Sequence, residues 1–266
     1  MLTYEYDVTN ANPWVPLVVN PPFQLYNSYM DKHTGSSYDD IAKKYADTQD
    51  NKPWNLYFER PGVLQFLPDV SGKDVLDAGC GPGFYSLYLL DQGARVTAFD
   101  LNPFFVERTR ERTGNRIAVR QADLAEPLKF CDDASFDLVV CILVLHYLKE
   151  WQPTLTEFHR VLRPGGLLIF STHHPFTDLE LSATGNYFST DLIEDEWDIG
   201  KVRFYRRPLS KISRDLFQSG FVIEKIAEPQ PIKPPDHVPF ESYDRAMRSP
   251  MRLLIRARKA TPPETS

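Results

Sequence analysis

Asp77-Ala-Gly79-Cys-Gly81-Pro-Gly83 places three glycines and a carboxylate within one short stretch. Such glycines let the backbone turn tightly and let a ligand approach main-chain N–H groups at the start of a helix. The next apolar run, TAFD, ends on Asp100, where an acid can accept hydrogen bonds from both ribose hydroxyls of an adenosine ligand. Asp123, in Gln121-Ala122-Asp123-Leu124, is placed to meet an adenine amino group. Three histidines add proton chemistry: His146 in Leu145-His146-Tyr147-Leu148, and the adjacent His173 and His174. An imidazole titrates near neutral pH, which suits a general base.

Spacing narrows the ligand. A dinucleotide fingerprint wants glycine or alanine at residue 84, but Phe84 stands there and the third glycine comes one place early, at Gly83. The nicotinamide reading therefore fails. The histidines have no carboxylate at ligand spacing, so no metal site is expected.

These residues need a scaffold that brings strand ends together. Short apolar strands are predicted at 73–77, 94–100, 116–121, 136–141 and 166–171, with helices at 84–92, 103–113 and 155–162 between them. That alternation implies an α/β fold with parallel pairing and right-handed crossovers. A helix at 210–219 and strands at 221–226 and 251–258 complete the pattern. Upstream, apolar residues at helical spacing predict helices over 38–45 and 53–67. Residues 1–30, rich in proline and aromatics, read as an irregular arm. The stretches 174–209 and 229–249 break the rhythm, as functional lids do. Aromatics at 187–205 are expected mainly to anchor the first of these on the sheet. Arg203, Arg206 and Arg207 are expected to form a solvated basic face, with an acidic substrate as the other use for them.

The chain has 266 residues and a formal net charge of −6, against the basic surplus of proteins that grip a phosphate backbone. Its longest apolar run, 138–145, is far short of the ~20 residues of a membrane span. The first residues, with Glu5 and Asp7, lack the pattern of a signal peptide. Three well-separated cysteines form no paired framework, so a cytoplasmic, reduced protein is expected.

VLDAGCGPG (75–83), TAFDLNP (97–103), QADLAEPL (121–128), FDLVVCILVLHYL (136–148) and FHRVLRPGGLLIFSTHHP (158–175) together resemble the class I S-adenosylmethionine-dependent methyltransferases. The resemblance is nearest to the small-molecule branch that includes ubiquinone/menaquinone-biosynthesis enzymes and natural-product O- and N-methyltransferases. It implies a Rossmann-like, seven-stranded, mostly parallel sheet with an antiparallel last strand, a helical N-terminal cap and lid insertions. The cap and arm would occupy 1–70, and the S-adenosyl-L-methionine-binding core 71–266. Carried onto this sequence, the resemblance puts Asp77, Gly79, Gly81 and Gly83 at the methionine part of the cofactor. Asp100 and Leu101 would meet its ribose, Asp123 and Leu124 its adenine, and Cys141 would lie beside the sulfonium. Histidine at the position of His146 acts as base in related sugar and phenol methyltransferases. His173 and His174 end the fifth strand, where one of the pair should point inward by strand alternation.

The expected function is thus methyl transfer to a small-molecule acceptor, without nucleic-acid or membrane partners. A tRNA- or protein-modifying enzyme, or a silent cofactor-binding regulator, are the alternatives. Asn20-Pro21-Pro22-Phe23 spells the signature of enzymes that methylate exocyclic amines of nucleic-acid bases. Here Cys141–Leu145 already fills the matching place after the fourth strand, so the motif reads as part of the arm.

Overall fold

Apolar strands with little polar interruption must be covered on both faces, and the alternation of helix and strand supplies the cover. The computed structural model describes residues 41–260; the arm expected over 1–30, with its Asn-Pro-Pro-Phe motif, lies outside the described residues. Helix α1 (Ala42–Thr48) and a π-helical turn (Asn55–Glu59) running into α2 (Arg60–Leu64) precede the sheet. Then come β1 (Asp74–Ala78), α3 (Phe84–Asp91), β2 (Arg95–Asp100), α4 (Pro103–Arg112), β3 (Ala118–Gln121), β4 (Phe136–Ile142), α5 (Gln152–Val161) and β5 (Leu162–His173). A hairpin of β6 (Asp191–Trp197) and β7 (Gly200–Arg206) follows, then α6 (Leu209–Gln218), β8 (Phe221–Ala227), α7 (Tyr243–Arg248) and β9 (Arg252–Lys259).

Seven strands form one sheet in the order β3-β2-β1-β4-β5-β9-β8. The first five are parallel, and β9 runs antiparallel to both β5 and β8. The last strand of the chain thus inserts beside β5 and leaves β8 at the edge. Neighbouring residues on β1 face opposite sides. Leu76 joins the cluster around Val139, Trp151 and Phe170, while Val75 joins that of Leu89, Val140 and Ile169. The chain builds outward from β1 in one direction and from β4 in the other, so the two sides part between them. An open α/β sheet places its ligand crevice at such a switch point.

Four local features depart from the sequence expectation. The helix expected over 53–67 ends at Leu64 and opens with a π turn. Helix α5 begins earlier than expected, with Pro153 in its first turn, where a missing N–H costs nothing. The Arg163–Gly166 segment is an irregularity inside a long β5, because the β4–β5 register jumps from Phe136↔Leu162 to Leu138↔Leu167. The β6–β7 hairpin was not foreseen: its exposed face is so rich in Glu and Asp that the strand alternation is masked, while Ile193, Val202 and Phe204 turn inward onto Ile41. Arg206 and Arg207 are buried and do not form a solvated face; Arg207 lies 4.1 Å over the Trp151 ring. No helix among the described residues is long and apolar enough to cross a membrane.

Candidate active site

The C-terminal edge of the sheet opens into a cavity of about 1170 Å³. Sheet order dictates what lines it: Asp123 after β3, Asp100 at the end of β2, the glycine loop after β1, His146 after β4, His173 on β5 and Arg252 at the start of β9. Neighbouring strands lie about 4.8 Å apart, so these groups form a row across the crevice.

The three glycines of the loop have different tasks. All have positive φ: 75° at Gly79, 52° at Gly81 and 84° at Gly83. A Cβ at Gly79 would come within 2.6 Å of Val144, and one at Gly83 within 2.8 Å of Thr109. Those two glycines let the loop pack against its neighbours, and Gly83 does not line the cavity. A Cβ at Gly81 would meet nothing within 4 Å, so the cradle is open there.

Asp100 is held with both oxygens engaged. Gly81 N–H donates to Oδ2 and Asn102 N–H to Oδ1, each at 2.9 Å. A carboxylate has about four lone-pair sites, so about two remain for ligand donors. Burial pushes its pKa up to about 6, opposed by the backbone N–H groups. Asp77 accepts the Ser86 hydroxyl at 2.6 Å, and burial pushes it up to about 7, with Asp100 adding to the rise. Asp123 accepts the Ala125 N–H at 2.8 Å; Leu124 is buried beside it and Leu101 is exposed at the cavity rim. Cys141 is placed differently from the sequence expectation: its side chain is fully buried among the core residues of the sheet and does not reach the cavity. The strand alternation that brings Ile142 to the cavity turns Cys141 inward.

The histidines separate likewise. His146, in the 3-10 turn Leu145–Tyr147, is 1% exposed, and neither ring nitrogen has a hydrogen-bond partner among the described residues. Its ring centroid lies 4.5 Å from that of His173. His173 stacks on Trp197 at 5.8 Å, and its Nδ1 is 3.6 Å from Asp178 Oδ2. Burial drives both imidazoles well below the usual histidine pKa, so they are neutral. The same burial pushes Asp178 up to about 7. His174 faces away from the cavity, with Nε2 2.8 Å from Glu228. Among the described residues no group of three His, Cys, Asp or Glu is arranged to hold a metal.

A family model described as a methyltransferase domain matches residues 76–170, from β1 through most of β5. An S-adenosylmethionine-dependent methyltransferase structure from Mesorhizobium loti superposes with a TM-score of 0.63 at 26% identity, over 79% of this chain and 99% of that one. Residues 76–170 are thus a methyltransferase domain of the class I S-adenosylmethionine-dependent kind. A Haemophilus influenzae protein without a described function is 27% identical over 77% of this methyltransferase and 88% of its own length. The malonyl-[acyl-carrier protein] O-methyltransferase of Enterobacter lignolyticus is 43% identical over 112 residues, 41% of this chain and 43% of that enzyme. The methyltransferase's cofactor is S-adenosylmethionine, and the site fits it. The Gly81 cradle is open, and Asp100 retains acceptor capacity toward it.

Sequence spacing pointed to the cofactor side of this methyltransferase but missed the other. Asp178 lies in a segment without a motif, and Arg252 reaches the row only because β9 pairs Arg252 with His173. An inward residue at the start of a predicted last strand was the only signal available for it.

Proposed function

We propose that this methyltransferase acts on a small-molecule acceptor, bound in the same cavity as the cofactor. One continuous cavity carries this reading, because it runs from Asp123 and Asp100 past Gly81 to His146 and His173. Its volume accommodates a nucleoside-sized cofactor and a modest second ligand. Asp100 receives the ribose hydroxyls, and Asp123 and Leu124 border the adenine. When bound, S-adenosylmethionine supplies a methyl group already activated on positively charged sulfur.

The protein's part is alignment, exclusion of water and, for a hydroxyl or protonated-amine acceptor, removal of a proton. Trp197 and Trp54 line the cavity and narrow the water's access. His146 takes the proton on a ring nitrogen that no described residue occupies; burial keeps that ring neutral, while weakening it as a base. His173 stands behind it, stacked on Trp197. The acidic chain favours a small acceptor over RNA. Three free cysteines, all buried, support a reducing, cytoplasmic setting. The malonyl-carrier relatives favour a second reading, an acyl acceptor delivered on a carrier protein.

Transfer of labelled methyl from S-adenosylmethionine to a metabolite panel tests the proposal, with carrier-bound acyl groups and bulk RNA in parallel. Label in the low-molecular-weight fraction is the expected result. Label confined to the carrier fraction selects the second reading, and label confined to RNA overturns both.

A further inference from the structure

Among the described residues, four cationic side chains line the cavity: Lys52, Arg60, Arg245 and Arg252. Three have a carboxylate partner at 2.8 Å, namely Lys52 with Asp198, Arg60 with Asp50, and Arg245 with Glu180. Arg252 has none within ion-pair reach among the described residues. Its Nη1 donates to the Met251 carbonyl at 3.0 Å, while its buried Nε has no acceptor. The guanidinium lies 5.4 Å from the centre of the Trp54 ring.

The acids that face Arg252 do little to balance it. Glu59 is engaged by the Tyr85 hydroxyl at 2.7 Å, and Asp178 sits beside His173. Burial pushes both carboxyls toward their neutral forms. The other titratable groups facing it are the phenols of Tyr147 and Tyr45 and the neutral imidazoles of His146 and His173. A buried guanidinium with open donors is costly unless an anion completes it, and a planar carboxylate matches its fork.

We propose that the methyl acceptor carries a carboxylate and that Arg252 is the residue that receives it. The proposal rests on the reading of this cavity as a small-molecule methyltransferase site and names the acceptor's chemical class. Sheet order assigns the carboxylate to the acceptor and not to the cofactor's methionine moiety. Arg252 pairs with His173 beyond β5, whereas the glycine loop follows β1 on the far side of β4. The cation beside the loop is Arg60, 3.7 Å over the ring of Phe84.

Calorimetry on the full chain tests this, with malonate as the probe and malonamide as its uncharged counterpart, each titrated at saturating S-adenosylhomocysteine. The native protein should bind malonate about tenfold or more tightly than malonamide, as bidentate charge-assisted hydrogen bonds imply. Arg252→Gln should erase that preference and leave S-adenosylhomocysteine affinity within about twofold. Arg252→Lys, which keeps the charge but not the fork, should bind malonate with intermediate affinity. Equal affinity of the native protein for the two probes overturns the proposal, whether or not the variants fold. Parallel loss of S-adenosylhomocysteine and malonate in folded Arg252→Gln reassigns the arginine to the cofactor and overturns it as well. A native protein that prefers malonate but binds no S-adenosylhomocysteine retains the anion site and rejects the methyltransferase reading beneath it.

Discussion

At the scale of single residues, burial sets the charge of the groups in the cavity, and charge sets what they can do. Asp100 must be ionised to accept two ribose hydroxyls, each charge-assisted bond contributing about 1.5–3 kcal/mol. Asp100→Ala should therefore weaken S-adenosylhomocysteine binding by ~10²–10⁴-fold, read by calorimetry. Its pKa of about 6 also fixes a sign. Protonation begins as pH falls through that value, so native affinity should decline from neutral toward acidic pH, and an affinity flat across that range would remove Asp100 from the ribose site. For His146 the sign is the same and the window lower. Only neutral imidazole accepts a proton, and burial depresses its pKa, so any acidic limb in native kcat belongs below pH ~6.5. His146→Ala should lower kcat by ~10²–10⁴ with unchanged cofactor affinity, and should abolish that limb. A variant with native kcat would pass the role to His173. Residue type and spacing singled out Asp100 and His146, and both line the cavity. They did not distinguish His173 from His174, because both end the same strand and only the packing of Trp197 and Glu228 shows which faces the cavity.

Among the elements, the glycine loop and the hairpin hold the site in opposite ways. The loop is shaped from within: Gly79 must be small for Val144, and Gly81 must be small for the ligand. Gly79→Ala should lower stability by about 1–3 kcal/mol through overpacking and backbone strain, seen as a shifted urea midpoint. Gly81→Val meets no steric clash but strains the backbone, since a β-branched residue is disfavoured at a φ of 52°; the folded variant should lose S-adenosylhomocysteine binding, and native affinity would show that the cradle is only a turn. The hairpin is held from behind by Arg206. Its inaccessible side chain donates to the carbonyls of Asn186, Tyr187 and Ser189 and pairs with Asp191 at 3.1 Å. Arg206→Ala leaves those carbonyls without their donor and removes the cation from Asp191, which keeps the hydroxyls of Ser182, Thr184 and Ser189; the loss should cost about 2–4 kcal/mol. Hydrogen exchange should then accelerate across 182–206 before the main sheet is affected, whereas uniform acceleration would mean that the hairpin does not open separately.

Across the whole molecule, cofactor binding and stability are linked. At about 100 times its dissociation constant, S-adenosylhomocysteine should add ~2.7 kcal/mol. For a domain of this size that is a rise in Tm of roughly 5–11 °C, and Asp100→Ala at the same ligand concentration should show much less. A native protein without a shift does not bind the ligand, and the cofactor reading falls. The cofactor half of the molecule was legible in the sequence because its determinants are local in the chain. A strand, a glycine loop and a helix must follow one another to form the cradle, and the strand-ending acid recurs one unit later. In the half proposed for the acceptor, the sequence marked the histidines, but tertiary structure decided their neighbours. The antiparallel insertion of β9 sets Arg252 beside His173, and the charged hairpin brings Trp197 over it. Burial then keeps the histidines neutral and pushes Asp178 up to about 7, while the guanidinium keeps its charge. No spacing rule encodes those contacts, because they join residues from distant parts of the chain and depend on how deeply each side chain is enclosed.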